Sequence, residues 1–328
     1  MVFKRFLAAF GVGGPSIDTV LANPHTQPGG VLEGHVELHG GDVDADIGEI
    51  AVALATRAEV EMGDGEAAAG VEFARIPVSG PLRLEAGERR SLPFRYPVPW
   101  QAPLTEAGGA PLPGAVLGLR TEVVIDGAPD KGDLDQVHVH PLPVQDGVLE
   151  ALARLGFGLK HTDVEHGHLA GTRQEFPLFQ EIEYYASPEY AHEVNELELS
   201  FVADPHGMDV VIEFDRRGGM FTEGGDLYGL FRVEHAQAHG TDWTAVVADW
   251  IGRALERHRG LFGGYGHQPY GHHGEGYGED RGGGMMGAVA GAALGAAGGL
   301  AAGYVAAEVI DEVFDDEGEE EPEEEEEE

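Results

Sequence analysis

Histidines two residues apart are the groups in this sequence best spaced for chemistry. His138 and His140 in HVHP fall on one face of an extended segment, and two imidazoles so placed can chelate a metal ion. His166 and His168 in EHGHL lie in a loop, while His267, His272 and His273 sit in a Gly-, His- and Tyr-rich tract that can hold a metal loosely. No third or fourth ligand stands at a defined spacing from any of them, so they read as solvated histidines and no metal-ligating residue is assigned. Carboxylates are too numerous for any two to be singled out as acid and base. The chain has no cysteine, which excludes disulfides, thiolate nucleophiles and the common structural zinc sites. No phosphate loop, dinucleotide fingerprint, serine elbow or zinc-protease helix is present. The expectation is a protein without catalytic residues and without a cofactor.

Charge narrows the partners. The formal net charge is −39, of which the run from Asp315 to Glu328 carries 12, so the body of the chain is acidic as well. Such a field repels phosphate backbones and anionic headgroups, leaving protein partners, basic ones above all, and excluding nucleic acid. The start, MVFKRFLAAFGVGGPS, superficially resembles a signal peptide but has a short apolar run and no small-x-small site, and reads as an amphipathic first helix.

Strands must position whatever site exists. In VLEGHVELHG, Leu32, Gly34, Val36 and Leu38 fall on one face and Glu33, His35, Glu37 and His39 on the other. A longer alternation places Ile50, Val52, Leu54, Thr56, Ala58, Val60 and Met62 together, and shorter ones group Leu92, Phe94, Tyr96 and Val98, then Leu117, Leu119, Thr121, Val123 and Ile125. Turn material between them has the spacing of an antiparallel sandwich, with prolines 93, 97 and 99 marking an edge strand. At QDGVLEALARLGF the period changes to that of a helix, with Asp146 as its expected N-cap and Gly156 as its stop. Alternation then resumes in a hairpin around DPHG and a last strand from Leu227 to Val233.

Two further segments follow. TDWTAVVADWIGRALERH is an amphipathic helix capped by Thr241 or Asp242, whose stripe of Trp243, Val246, Val247, Trp250, Ile251 and Leu255 must be covered, by the chain's own sheet or by a partner groove. Glycines 287, 291, 295, 299 and 303 then recur at every fourth position of an apolar run. On a helix they form one side that another backbone can approach closely, in lipid or in water, so 285–307 is a candidate for membrane association or self-association, and otherwise a spacer.

HVHPLPVQDGVLEALARLGF joins two all-β halves, and the pieces FGVGGPSIDTVL, PGGVLEGHVELHGG, IAVALATRAEVE and RSLPFRYPVP, followed by QEFPLFQEIEY, NELELSFVADPHGMDVVIEFDRRGG and LYGLFRVEHA, give the chain a resemblance. It resembles the bacterial sporulation-control family, the sporulation stage-zero M proteins with their arrestin-like fold, from Met1 to Ala236. The resemblance implies a tandem pair of arrestin-like antiparallel β-sandwiches, a regulatory or scaffolding role in sporulation and stress, and no catalytic residues to carry over. The expected organisation is one sandwich over 1–140, a second over 141–238, the amphipathic helix over 239–259 and a flexible linker over 260–284. A glycine-patterned helical segment over 285–314 and a disordered acidic tail over 315–328 complete it. Function is expected to be that of a cytoplasmic adaptor binding proteins through sandwich edges and loops; the alternative is a sensor binding a small molecule or metal on concave faces or histidines.

Overall fold

The computed structural model describes residues 13–62, 65–125, 131–215, 229–262 and 303–305. The N-terminal half contains β1 (Ser16–Leu21), β2 (His25–Thr26), β3 (Val31–His39), β4 (Ala45–Met62), β5 (Gly65–Ser79), β6 (Leu82–Leu84), β7 (Arg89–Pro97), β8 (Glu106–Ala107), β9 (Ala110–Pro111), β10 (Leu117–Ile125), β11 (Lys131–Gln136) and β12 (His138–Val139). After α1 (Pro143–Arg154) come β13 (Gly158–His166), β14 (Leu178–Tyr185), β15 (Glu196–Ala203), β16 (Gly207–Asp215) and β17 (Gly229–Glu234). A 3-10 turn, α2 (Trp243–Phe262) and β18 (Gly303–Val305) complete the described elements.

Period-two alternation becomes a two-sheet sandwich in the first half. The sheet β1-β3-β7 buries Leu32, Val36, Leu38, Phe94 and Tyr96 in one core with Ile50, Val52, Leu54, Phe73, Leu119 and Val123 of the facing sheet. Thr19 and Thr121 join the layers through a buried hydroxyl pair at 2.7 Å. Proline-bearing β7 pairs with β3 alone among the described residues, the edge position that its missing N–H groups demand.

The alanines of β4 have a separate role. Ala51, Ala53 and Ala55 are buried on the face opposite the core. Their neighbours across the ladder are Glu122 and Arg120 on β10 and Glu72 on β5. Small side chains there let Arg120 reach Glu72, and let Arg75 reach both Glu49 at 2.8 Å and Glu122 at 3.2 Å, over the central strand. The aliphatic stems of the arginines shield the methyl groups while the charged ends stay near water.

Arg75 faces outward only because β5 is bulged. Register shifts between Val52 and Leu54 of the partner strand, and Ala74 takes φ +53. The extra residue reverses the alternation, so Phe73 points to the core, Arg75 to the charged face and Ile76 back to the core side. The Tyr96 hydroxyl, fully buried, donates to the Ala74 carbonyl at 2.8 Å. Tyr96→Phe removes that donor alone and is expected to cost about 1–2 kcal/mol, measured as a lower urea midpoint at unchanged slope.

In the second half β13, β14, β15, β16 and β17 continue the larger sheet as antiparallel neighbours, joined to β4 by a parallel bridge between Glu165 and Glu59. The resemblance implies a sandwich over 141–238; among the described residues of this half β13, β14, β15, β16 and β17 form one sheet, with α1 and α2 packed against it. α1 begins at Pro143, not at Asp146: the Gln145 side chain accepts the Leu142 N–H at 2.8 Å, and proline supplies the first helical position. It ends as expected at Gly156, whose φ of +86 lets Phe157 N–H reach the Leu152 carbonyl at 3.0 Å. Gly147, inside α1, allows the Trp243 ring of α2 to approach, since a Cβ there would lie 2.5 Å from it.

The halves are clasped by neutral amides in a strongly acidic chain. Gln180 of β14 accepts the Leu104 N–H at 2.8 Å and donates to the Leu104 carbonyl at 2.7 Å, both buried. Gln101 donates to the Arg173 carbonyl at 3.0 Å and accepts the Glu175 N–H at 2.8 Å. Trp100 stacks on His235 at 5.3 Å between centroids. The segment after β7 is thereby tied to the second half at three points.

Candidate functional site

Sequence spacing selected His138 and His140, and the fold brings them two further partners. β12 runs parallel to β2, with His138 beside His25, held by the His138 N–H on Pro24 and the His140 N–H on Thr26, each 2.9 Å. Thr105 fixes the other side of β12, its hydroxyl accepting the Val139 N–H at 2.8 Å, and so delivers the next residue, Glu106 of β8, to the imidazoles. One Glu106 oxygen lies 3.0 Å from His138 Nδ1 and the other 3.1 Å from His140 Nδ1. His25 Nδ1 is 3.0 Å from His140 Nε2, and the His25 ring stacks on those of His138 and His140 at 4.6 and 5.2 Å.

This geometry suits one arrangement of tautomers. With Nδ1–H of neutral His138 and His140 donating to the carboxylate, Nε2 of each ring keeps a lone pair, and His25 Nδ1–H can donate to His140 Nε2. A carboxylate behind an imidazole, fixing its tautomer, is the usual support of a metal-binding histidine. Sequence reading lacked a third donor because His25 and His140 are 115 positions apart. His166 and His168 are exposed and do not join the cluster; His267, His272 and His273 lie outside the described residues.

A second concentration of charge lies on the face of the C-terminal sheet opposite the helices. Asp163 sits directly across from Glu181, Glu183 from Glu198, and Glu198 from Glu213. Lys160 holds Glu183 at 2.8 Å and Glu196 at 2.6 Å at one end of this face. Burial, reinforced by Glu198, Asp163, Glu213 and Glu165, pushes the Glu181 carboxyl up to about 9. Asp163 is pushed up to about 6, by burial first and then by Glu183 and Glu59. Cross-strand pairing of like charges makes this face a proton-retaining one.

Two expected interaction surfaces are placed differently. The stripe Trp243, Val246, Val247, Trp250, Ile251 and Leu255 is not a partner groove: it is packed into the chain's own core, with Trp250 stacked on Phe231 at 4.9 Å and edge-on to Trp243 at 6.3 Å. One-sided helices bury their apolar stripe wherever a sheet face is open, and the face of β16 and β17 was open. Asp242 is the cap, accepting the Ala245 N–H at 3.2 Å. Of the glycine stripe, Gly287, Gly291, Gly295 and Gly299 lie outside the described residues. Gly303 does not continue a helix but forms β18, pairing with Glu72 while Tyr304 pairs with Val71 and Val305 with Gly70 of β5. Repeated glycine weakens a helix in water, whereas β5 offers open backbone groups that a strand can satisfy. Beyond Glu72, the outer side of β5 up to Ser79 has no ladder partner among the described residues. No helix among the described residues is long and apolar enough to cross a membrane.

Comparison with known proteins agrees with this architecture. Residues 3–218 match the family described as SpoOM protein. The sporulation-control protein Spo0M of Bacillus subtilis is 32% identical over 217 residues, covering 66% of this chain and 81% of that protein. The crystal structure of Spo0M from Bacillus subtilis superposes with a TM-score of 0.65 at 27% identity, covering 74% of this chain and 100% of that one. The chain therefore belongs to the Spo0M family of sporulation-control proteins, mainly β and arrestin-like in fold.

Proposed function

We propose that the chain is a non-enzymatic regulatory scaffold of the sporulation-control type, acting in the cytoplasm by taking up an extended segment of a protein partner along the outer edge of β5. The observation that carries this reading is the pairing of β18 with Gly70, Val71 and Glu72. An edge that accepts a strand from the same chain has the hydrogen-bonding geometry to accept one from another. The strong negative charge favours a basic partner segment. The chain's own β18 then competes for part of the slot, and the segment before it, 285–302, contributes self-association or membrane attachment that raises local concentration.

Competition is directly measurable. A labelled peptide with the sequence AAGYVAAE, residues 301–308, is titrated into the full chain and into Tyr304→Pro, which removes a strand N–H from β18. Clearing the slot raises the competent fraction, so Tyr304→Pro is expected to bind about tenfold more tightly. Equal affinity for both chains contradicts the competition, and no binding to either contradicts the slot.

A further inference from the structure

We infer that His25, His140 and Glu106 form a binding site for a divalent transition-metal cation of the zinc type, which bridges β2 to the β8–β12 corner. One ligand atom of each residue lies within 4.8 Å of the others, from three segments that the backbone ladder already holds in register. Tetrahedral coordination with bonds of 2.0–2.1 Å places ligands about 3.3 Å apart. His25 Nδ1 and His140 Nε2, 3.0 Å apart, are close to that separation before any metal enters. In the metal-free arrangement these two nitrogens share one proton; the cation takes its place, and the proton leaves to solvent.

Each neighbour has a role consistent with ligation. Glu106 supplies the oxygen donor: on metal binding its oxygen 3.1 Å from His140 Nδ1 turns from that contact to the ion, while the other keeps its contact with His138 Nδ1. His138, bonded to the other Glu106 oxygen and stacked on His25, limits rotation of both groups. His25 is exposed, so the fourth position opens to water, and a two-histidine, one-carboxylate set with an open position is chemistry that zinc accepts. Calcium and magnesium, which prefer oxygen ligands, are poorly matched to two nitrogens. Ligation would fasten the start of the N-terminal sandwich to the segment leading into α1, and so stiffen the junction between the halves.

Calorimetric titration of the full chain with zinc(II) tests the site. The native chain is expected to show a stoichiometric site tighter than about 1 µM. His25→Ala/His140→Ala is expected to lose one equivalent of zinc, and Glu106→Gln to weaken that equivalent about 10- to 100-fold. His166→Ala/His168→Ala is expected to leave it unchanged. Zinc should also raise the thermal midpoint of the native chain but not that of the double variant, a readout independent of weak zinc held elsewhere. An unchanged stoichiometry and affinity in the double variant, or no site tighter than about 1 µM in the native chain, overturns the assignment.

Discussion

Gln180→Leu is expected to lower the stability of the chain by about 2–4 kcal/mol, because it leaves the buried N–H and carbonyl of Leu104 without partners. Leucine is close to glutamine in volume, so the loss isolates hydrogen bonding from packing. Among the described residues the Leu104 N–H and carbonyl, 76 residues away in sequence, both bond to the Gln180 side chain, and both contacts are buried. Gln180→Glu tests the direction of each bond: it retains the acceptor for the N–H but loses the donor to the carbonyl. A charged side chain would also have to be buried there, so it should be no better tolerated than leucine. Urea unfolding checks both variants, and a loss below about 1 kcal/mol for leucine would mean that water replaces the amide and that the clasp is not rigid.

One residue further along the same strand the sign reverses. Glu181→Gln is expected to stabilise the chain at pH 8, because it removes a carboxylate that the fold holds among Asp163, Glu198 and Glu213. A carboxyl pushed from 4.5 up to about 9 binds its proton more tightly when folded than when unfolded. Stability is therefore full below the unfolded value and falls as pH rises from the unfolded value towards about 9. The whole shift would correspond to about 6 kcal/mol, but Glu181 is only half-buried and its neighbours can turn towards water, so about 2 kcal/mol is expected at pH 8. The native chain should unfold at lower urea at pH 8 than at pH 5, while Glu181→Gln flattens that difference and matches the native chain near pH 5. A variant less stable than the native chain at pH 8 would show that Glu181 is ionised and well partnered.

The strands also show where sequence reading succeeds and stops. Period two correctly grouped the inward rows of β3, β4, β7 and β10, because strand geometry turns alternation directly into facing. It could not say what lies against each face. Ala51, Ala53 and Ala55 alternate with the core row of β4, yet they are the floor beneath ion pairs that join β5 to β10 and to β4. Arg75 shares the parity of Phe73 in the sequence, and only the bulge at Ala74 separates them. The helix containing Trp243 and Trp250 was evident from its spacing, and its burial on β17 follows from the open sheet face that it meets. His25 and Glu106 carry no local signal that links them to His140. Their meeting depends on the parallel pairing of β2 with β12 across most of the N-terminal half.

The proposal that the edge of β5 accepts a partner strand is examined most directly by hydrogen–deuterium exchange on the full chain and on Tyr304→Pro. The account predicts that, of Gly70, Val71 and Glu72, the amides whose N–H faces β18 exchange slowly in the full chain. In Tyr304→Pro they should exchange faster, and added AAGYVAAE peptide should protect them again, while β4 stays unchanged throughout. Identical exchange along β5 in both chains, with no protection by the peptide, would contradict the edge as a docking strand.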